Sequence, residues 1–232
     1  MLYNMALYVV SVGGSLIVPE LIDCDFLAFF KQFIIKRIEK GDRFILIAGG
    51  GKTARKYQEA ASQISGIDNE EKDWIGIHST RLNAHLLRTI FKLWANPKVM
   101  KNYETEEDFV EFHEKILIGA GWRPGWSTDY CAVLLAQKYG ADSIINLSNI
   151  EYVYSEDPKI NPNAIRYEEI SWSDFREIVG DVWDPGMSAP FDPIASKEAE
   201  KLNLKVAILN GKKFTNLNDY MDNKKFLGTI IS

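Results

Sequence analysis

Cysteine is scarce in this chain. There are two in 232 residues, Cys24 and Cys131, with no CxxC spacing. That argues against a disulfide framework or a zinc ribbon, and both read as reduced core residues. The three histidines, His78, His85 and His113, lack a metal spacing such as HExxH and read as structural or surface groups. No apolar run approaches the roughly 20 residues of a membrane span. Met1 to Val12 contains no basic residue, a poor match to a secretory leader, so a cytoplasmic protein with no membrane partner is expected. Positive charge is not in excess either. Lys and Arg number 27 against 32 Asp and Glu, a net charge of −5, which argues against nucleic acid as a partner. Internal repeats, low-complexity tracts and Ser/Gly-rich linkers are absent from the sequence.

What is present is an alternation of short apolar runs and amphipathic stretches. Leu7 to Val12, Phe44 to Ala48 and Ser143 to Leu147 read as buried strands, the first as a parallel one, and Lys115 to Ile118 and Lys205 to Leu209 as further strands. Tyr152 to Tyr154 reads as a short extended piece, and Gly228 to Ile231 as a terminal strand. Helical spacing covers Phe26 to Lys40, Lys52 to Ile64, Asp73 to Trp94 and Asp129 to Tyr139. Asn96-Pro97 is expected to stop the third of these, and Glu104 to Glu114 to form a short acidic surface helix. Ser171 to Val179 is a capped helix, and Asp192-Pro193 opens another with Asp as N-cap. The pattern predicts one α/β domain over 1–232, a three-layer α/β/α sandwich with a mostly parallel sheet. A soft division near residue 118 separates two lobes.

Three loops sit at strand-to-helix junctions: Gly13-Gly14-Ser15, Gly49-Gly50-Gly51-Lys52 and Gly125-Trp126-Ser127-Thr128-Asp129. Glycine lets backbone amides approach a phosphate closely, and a helix N-terminus adds partial positive charge. Lys52 and Arg55 would neutralise a transferring group. Each triplet could also be merely a tight turn. A P-loop needs glycine where this chain has Leu46, so that motif fails. Gly49-x-Gly51-x-x-Ala54, with Asp68 and Asp73 following, satisfies the dinucleotide fingerprint. It leaves the other two loops without a role. Asp129 could serve as a helix N-cap, as a carboxylate holding Lys52 or Mg²⁺, or as both.

With these loops in order, the chain resembles the amino-acid-kinase superfamily, most closely its archaeal-type uridylate kinases. The resemblance spans nearly the whole chain. It is carried by residues 12–20 and 49–57, by Asp73 to Ile77 with Thr80 to Ala84, and by Arg123 to Asp129. Asp157-Pro158-Lys159 with Asn161-Pro162, and Asp192 to Lys197, complete it. It implies transfer of the ATP γ-phosphoryl group to UMP, giving UDP in pyrimidine biosynthesis, with ATP and Mg²⁺ as donor and no protein-held metal. Gly14, Ser15, Gly51 and Arg55 would meet the ATP phosphates, and Ser148, Tyr154 and Asp157 the adenosine. Gly50 would meet the UMP phosphate and Asp73 its ribose hydroxyls. Trp122, Pro124, Gly125, Trp126, Ser127 and Thr128 would wall the acceptor pocket. Asp129 would be the organising carboxylate, Lys52 a catalytic cation. The acceptor belongs with 1–118 and ATP with 119–232. A homo-oligomer, a ring-like hexamer, is also implied, with the Phe26–Ile38 helix a candidate contact surface.

Some positions depart from that pattern. Ser11 stands where many members carry a Lys before the first glycine loop. Lys52 is expected to supply that charge. Tyr152 replaces a glycine near the expected adenine site, beside Glu151. Trp122 and Trp126 replace smaller or polar residues at the acceptor wall. Two alternatives therefore stand beside UMP phosphorylation: a non-catalytic nucleotide- or anion-binding storage protein on the same fold, and a kinase for another phosphate or carboxylate acceptor.

Overall fold

The computed structural model describes residues 6–182 and 189–232. One eight-stranded sheet runs in the order β3-β4-β2-β1-β5-β9-β10-β8. Its strands are β1 Leu7–Val12, β2 Arg43–Ala48, β3 Ala95–Met100, β4 Ile116–Gly119, β5 Ser143–Ser148, β8 Glu169–Ile170, β9 Lys205–Asn210 and β10 Thr229–Ile231. From β3 across to β9 every neighbour is parallel, and β10 turns antiparallel to β9. A small hairpin, β6 Val153–Tyr154 with β7 Arg166–Tyr167, lies beside it. The mostly parallel sheet predicted from the sequence is present.

Both faces of the sheet are covered, which is why its strands read as unbroken apolar runs. Along β1 and β2, Val10, Val12, Phe44 and Leu46 face one core, and Val9, Ile45 and Ile47 face the other. The first core is closed by α2 (Cys24–Glu39), α4 (Asn69–Ile90) and α8 (Phe214–Met221). The second is closed by α5 (Thr128–Tyr139), α6 (Trp172–Val179) and α7 (Pro193–Lys201). Each Leu, Ile or Phe fully buried here contributes about 1.5–3 kcal/mol. Two further helices, α1 (Gly14–Ile17) and α3 (Gly51–Ser65), follow the glycine turns, and no residue of α3 is buried.

Several expectations need correction. α4 begins at Asn69, capped by Asp68, and ends at Ile90, so Asn96-Pro97 lies inside strand β3. Proline is tolerated there because β3 is an edge strand, and its ladder with β4 shifts register between Ala95 and Val99. Leu82, assigned by periodicity to the apolar stripe, is 64% exposed. The acidic 104–114 segment forms only a 3₁₀ turn, Glu106–Asp108, closed by a Thr105 capping box. Cys131 is buried but Cys24 is exposed. Phe26, Phe30, Ile34 and Ile38 of α2 are core, which leaves Phe29 as its exposed aromatic. Of the Met1–Val12 start, residues 1–5 lie outside the described residues.

Candidate active site

The chain runs from β1 to β2 on one side and places β5 on the other, so the carboxyl ends of these strands flank a topological switch point. Val12 pairs with Ala48 in register, which brings Gly13-Gly14 against Gly49-Gly50-Gly51. The two turns interlock main chain to main chain. A Cβ on Gly14 would stand 2.0 Å from the amide nitrogen of Gly51, and one on Gly49 would stand 2.4 Å from that of Gly14. Gly51 also has φ +67°, in the left-handed region that favours glycine. These turns start α1 and α3, where the Leu16 amide donates to the Gly13 carbonyl and the Lys52 amide to that of Val18, each at 2.9 Å.

A cleft of about 320 Å³ opens over this junction. Gly14, Ser15, Gly50, Gly51 and Arg55 line it from the β1 and β2 ends, Ser148 from the β5 end. Asp73 lines it from α4, and Trp126, Ser127, Thr128 and Asp129 from the loop and first turn of α5. The three loops picked out in the sequence thus converge on one cavity.

Asp129 sits at its floor. Ser11 Oγ donates to Asp129 Oδ1 at 3.0 Å, Asn146 Nδ2 to the same oxygen at 3.3 Å, and the Asp192 amide to Oδ2 at 3.3 Å. Ser11 and Asn146 are register partners on β1 and β5, so both polar side chains rise from the same face of the sheet. Desolvation by the surrounding protein, reinforced by the neighbouring Asp192 carboxylate, pushes the Asp129 carboxyl up to about 7. The side chain keeps an open edge toward the cleft, but protein atoms crowd it on every other side. Asp192 is raised as well, again by burial, and is partly compensated by Ser127 and by the amides of Ile194 and Ala195. Ser127 Oγ donates to Asp192 and also accepts from the Tyr130 amide as the N-cap of α5. The N-termini of α5 and α7 are therefore stitched together behind Asp129.

α4 braces the other side. Asn83 Nδ2, on the buried face, donates to the carbonyls of Gly49 at 2.8 Å and Gly50 at 3.2 Å. Thr80 Oγ1 accepts from the Gly121 amide at 2.8 Å, and Arg81 donates to the carbonyls of Gly121 and Trp122 at 3.2 and 2.8 Å. Asp73 Oδ2 accepts from the Gly125 amide at 2.7 Å, which ties the 122–126 loop to α4. Sequence reasoning gave Ser11, Asn83, Asn146 and Arg81 no role in the site. The available signal was a polar side chain interrupting an apolar run, as in Val9-Val10-Ser11-Val12 and Ile144-Ile145-Asn146-Leu147.

Other expected site residues lie elsewhere. Lys52 does not line the cleft. Its amide donates to the Val18 carbonyl at 2.9 Å and its ammonium pairs with Glu20 at 3.2 Å. Trp122 is behind the wall rather than on it, stacked on Trp126 at 5.9 Å with the Arg123 guanidinium 4.1 Å over its ring. Pro124 and Gly125 form the turn between them and are not on the lining. Tyr154 sits on β6, paired with Arg166, and Asp157 caps the turn that follows by accepting from the Lys159 amide at 2.9 Å. Tyr152 turns its ring into the protein at 4% exposure, under the Arg166 guanidinium, with an ordinary φ. Its bulk therefore does not project toward a base site. Glu151 is paired with Lys213. The three histidines are on the surface.

Arg55 is the cation among the described lining residues, facing three carboxylates, Asp73, Asp129 and Asp192. Negative phosphate would thus be met by amides and Arg55, while Asp129 and Asp192 border the site. No group of three His, Cys, Asp or Glu side chains that could hold a metal is gathered among the described residues. Mg²⁺ keeps several waters and uses one or two carboxylates plus phosphate oxygens, so this donor set suits an ion that arrives on a nucleotide.

Comparison with known proteins follows the same lines. Residues 6–210 match the Amino acid kinase family. A uridylate kinase from Pyrococcus abyssi is 34% identical over 217 residues, covering 93% of this chain and 95% of that protein. One from Thermococcus kodakarensis is also 34% identical, over 96% of this chain and 98% of that protein. The crystal structure of uridylate kinase from Archaeoglobus fulgidus superposes with a TM-score of 0.80 at 30% identity, covering 98% of this chain and all of that one. The glycine turns, the carboxylate at the α5 terminus and the parallel sheet that presents them are those of a chain belonging to the amino acid kinase family.

Proposed function

We propose that this protein transfers the γ-phosphoryl group of ATP to UMP, giving UDP and ADP. The observation that carries this is the convergence of the two interlocked glycine turns, Asp73 and Asp129 on one cleft. The likeness to uridylate kinases over nearly the full length of the chain supports the choice of acceptor. Gly14, Ser15, Gly51 and Arg55 receive the ATP phosphates, with Ser148 toward the adenosine. Gly50 receives the UMP phosphate and Asp73 the ribose. Within a single domain the adenosine lies on the 119–232 half and the UMP phosphate and ribose on the 1–118 half, with the ATP phosphates on the glycine turns of 1–118.

In the transfer, an oxygen of the UMP phosphate bonds to the γ-phosphorus as the bond to the ADP oxygen breaks. The attacking oxygen is already anionic, so no base has to remove a proton from it. Positioning and charge neutralisation are what remain for the protein. Asp129, held by Ser11, Asn146 and the Asp192 amide, is suited to organise the site rather than to abstract a proton. Bound Mg²⁺ would neutralise charge on the ATP phosphates. Arg55 replaces Lys52 as the cation of choice, since Lys52 is engaged with Glu20.

The partner for assembly is further copies of the same chain, a hexamer by resemblance. Light scattering on the purified protein tests this. For the reaction, purified protein with ATP, Mg²⁺ and UMP should form ADP and UDP. No turnover with any of the four nucleoside monophosphates would replace this reading with a binding or storage role.

A further inference from the structure

We propose that Asn83 is a positioning residue for the phosphoryl transfer: its one side-chain amide turns two peptide groups so that the Gly50 and Gly51 N–H bonds face the cleft together. This rests on the kinase reading above, in which Gly50 meets the UMP phosphate and Gly51 the ATP phosphates. Asn83 is 3% exposed and is not on the cleft lining. Its Nδ2 donates to the Gly49 carbonyl at 2.8 Å and to the Gly50 carbonyl at 3.2 Å. A trans peptide unit sets its carbonyl and the following N–H on opposite sides. With both carbonyls drawn back to Asn83, the Gly50 and Gly51 amides are left on the other side, and both residues line the cleft. Among the described residues no main-chain carbonyl accepts from either amide.

A run of three glycines has little conformational preference of its own. The missing Cβ atoms that let phosphate approach also leave each peptide group free to rotate, and Gly51 already sits at φ +67°. The interlock with Gly14 limits how close the two turns stand, whereas Asn83 fixes which way the peptide groups face. Two carbonyl acceptors admit only the nitrogen end of an Asn amide. α4 presents that nitrogen from a packed face: Gly76, Ser79 and Asn83 recur at helical spacing, and a Cβ on Gly50 would meet the Gly76 carbonyl oxygen at 3.4 Å and Ser79 Cβ at 3.5 Å. One NH₂ group thus sets the amides that serve both substrates. Binding keeps other contacts when it is lost, Arg55 and Ser15 for ATP and Asp73 for the ribose. Transfer has no such reserve, because it depends on how the two phosphates are placed relative to each other. Asn83 therefore acts on kcat more than on KM.

The experiment is steady-state ADP formation with ATP, Mg²⁺ and UMP for wild type, Asn83→Ala and Asn83→Asp, each assayed below its own unfolding temperature. Asn83→Ala should lower kcat at least about tenfold while KM for UMP and for ATP changes by less than that factor. Asn83→Asp keeps the shape but aims an acceptor at two carbonyls, so its kcat should fall further. A purely structural role would lower Tm and leave the kcat of the folded variants at the wild-type level. Wild-type protein carrying isotope-labelled glycine decides the matter if neither variant folds. Its Gly50 amide NMR signal should move on adding UMP, and its Gly51 signal on adding a non-hydrolysable ATP analogue. A smaller fall in kcat, a change in KM that exceeds it, or Gly50 and Gly51 signals unmoved by nucleotide overturns the inference and leaves the kinase intact. No turnover by wild type with any nucleoside monophosphate overturns the kinase reading and the inference together.

Discussion

Gly14→Ala probes the contact on which the site is built. The added methyl carbon would lie 2.0 Å from the Gly51 nitrogen, 2.6 Å from its Cα and 2.8 Å from the Gly49 carbonyl carbon. Ordinary carbon contacts need about 3.5 Å or more, so one turn must retreat by roughly 1.5 Å. All three atoms are main chain and cannot rotate aside. Overpacking of this kind costs about 1–3 kcal/mol. For a chain of this length that lowers Tm by about 3–10 °C. The effect on turnover should be larger than on stability, because a displacement of about 1 Å at a transfer site costs about a hundredfold. Differential scanning fluorimetry and coupled ADP release measure the two. Gly76→Ala is the control for stability. It lies inside α4, and its Cβ would meet only Gln58 Nε2 at 3.5 Å. Relief of glycine's entropy cost there should raise stability by about 0.5–1 kcal/mol. Wild-type Tm and turnover in Gly14→Ala would refute the interlock.

Burial, reinforced by the Asp192 carboxylate, holds the Asp129 carboxyl up to about 7 in the folded protein, above its ordinary 3.8. The folded state therefore binds more protons than the unfolded chain between these values, and stability should fall as pH rises through that window. Asp129→Asn should remove up to about 4 kcal/mol of that loss, seen as a flatter plot of Tm against pH from about 4 to 7; an unchanged slope would mean that Asp129 is not desolvated. Asn83→Ala strands two loop carbonyls and should cost about 1–3 kcal/mol in chemical denaturation, with wild-type stability counting against the clamp. Arg55→Ala should lower turnover at least about tenfold, whereas Lys52→Ala should stay within about threefold; the reverse order would return Lys52 to the mechanism.

Much of the fold was legible because burial on both faces writes itself as apolar runs. β1, β2, β5 and β9 were read to within one residue at each end. The junction loops were legible for a similar reason: consecutive glycines at strand ends have few other uses. Misreadings arose where tertiary placement overrode a local signal. Pro97 reads as a stop but is tolerated at a sheet edge. Leu82 fits a helical stripe, yet nothing packs over it. Lys52 belongs to the right motif, but whether a lysine on the first turn of α3 faces the cleft or Glu20 depends on helix orientation, which no spacing encodes. Asn83 and Asn146 act through carbonyls and carboxylates far away in sequence, so their partners emerge only once the chain is folded.

A seat assembled from peptide groups rather than side chains has an implication for how the family diverges. This chain as a whole is about one-third identical to the Pyrococcus abyssi and Thermococcus kodakarensis proteins. The two glycine turns cannot take on side chains independently, because each occupies the room a methyl group would need in the other. Side chains on the aromatic side of the cavity can then change while the spacing between the two turns stays fixed by main-chain contact.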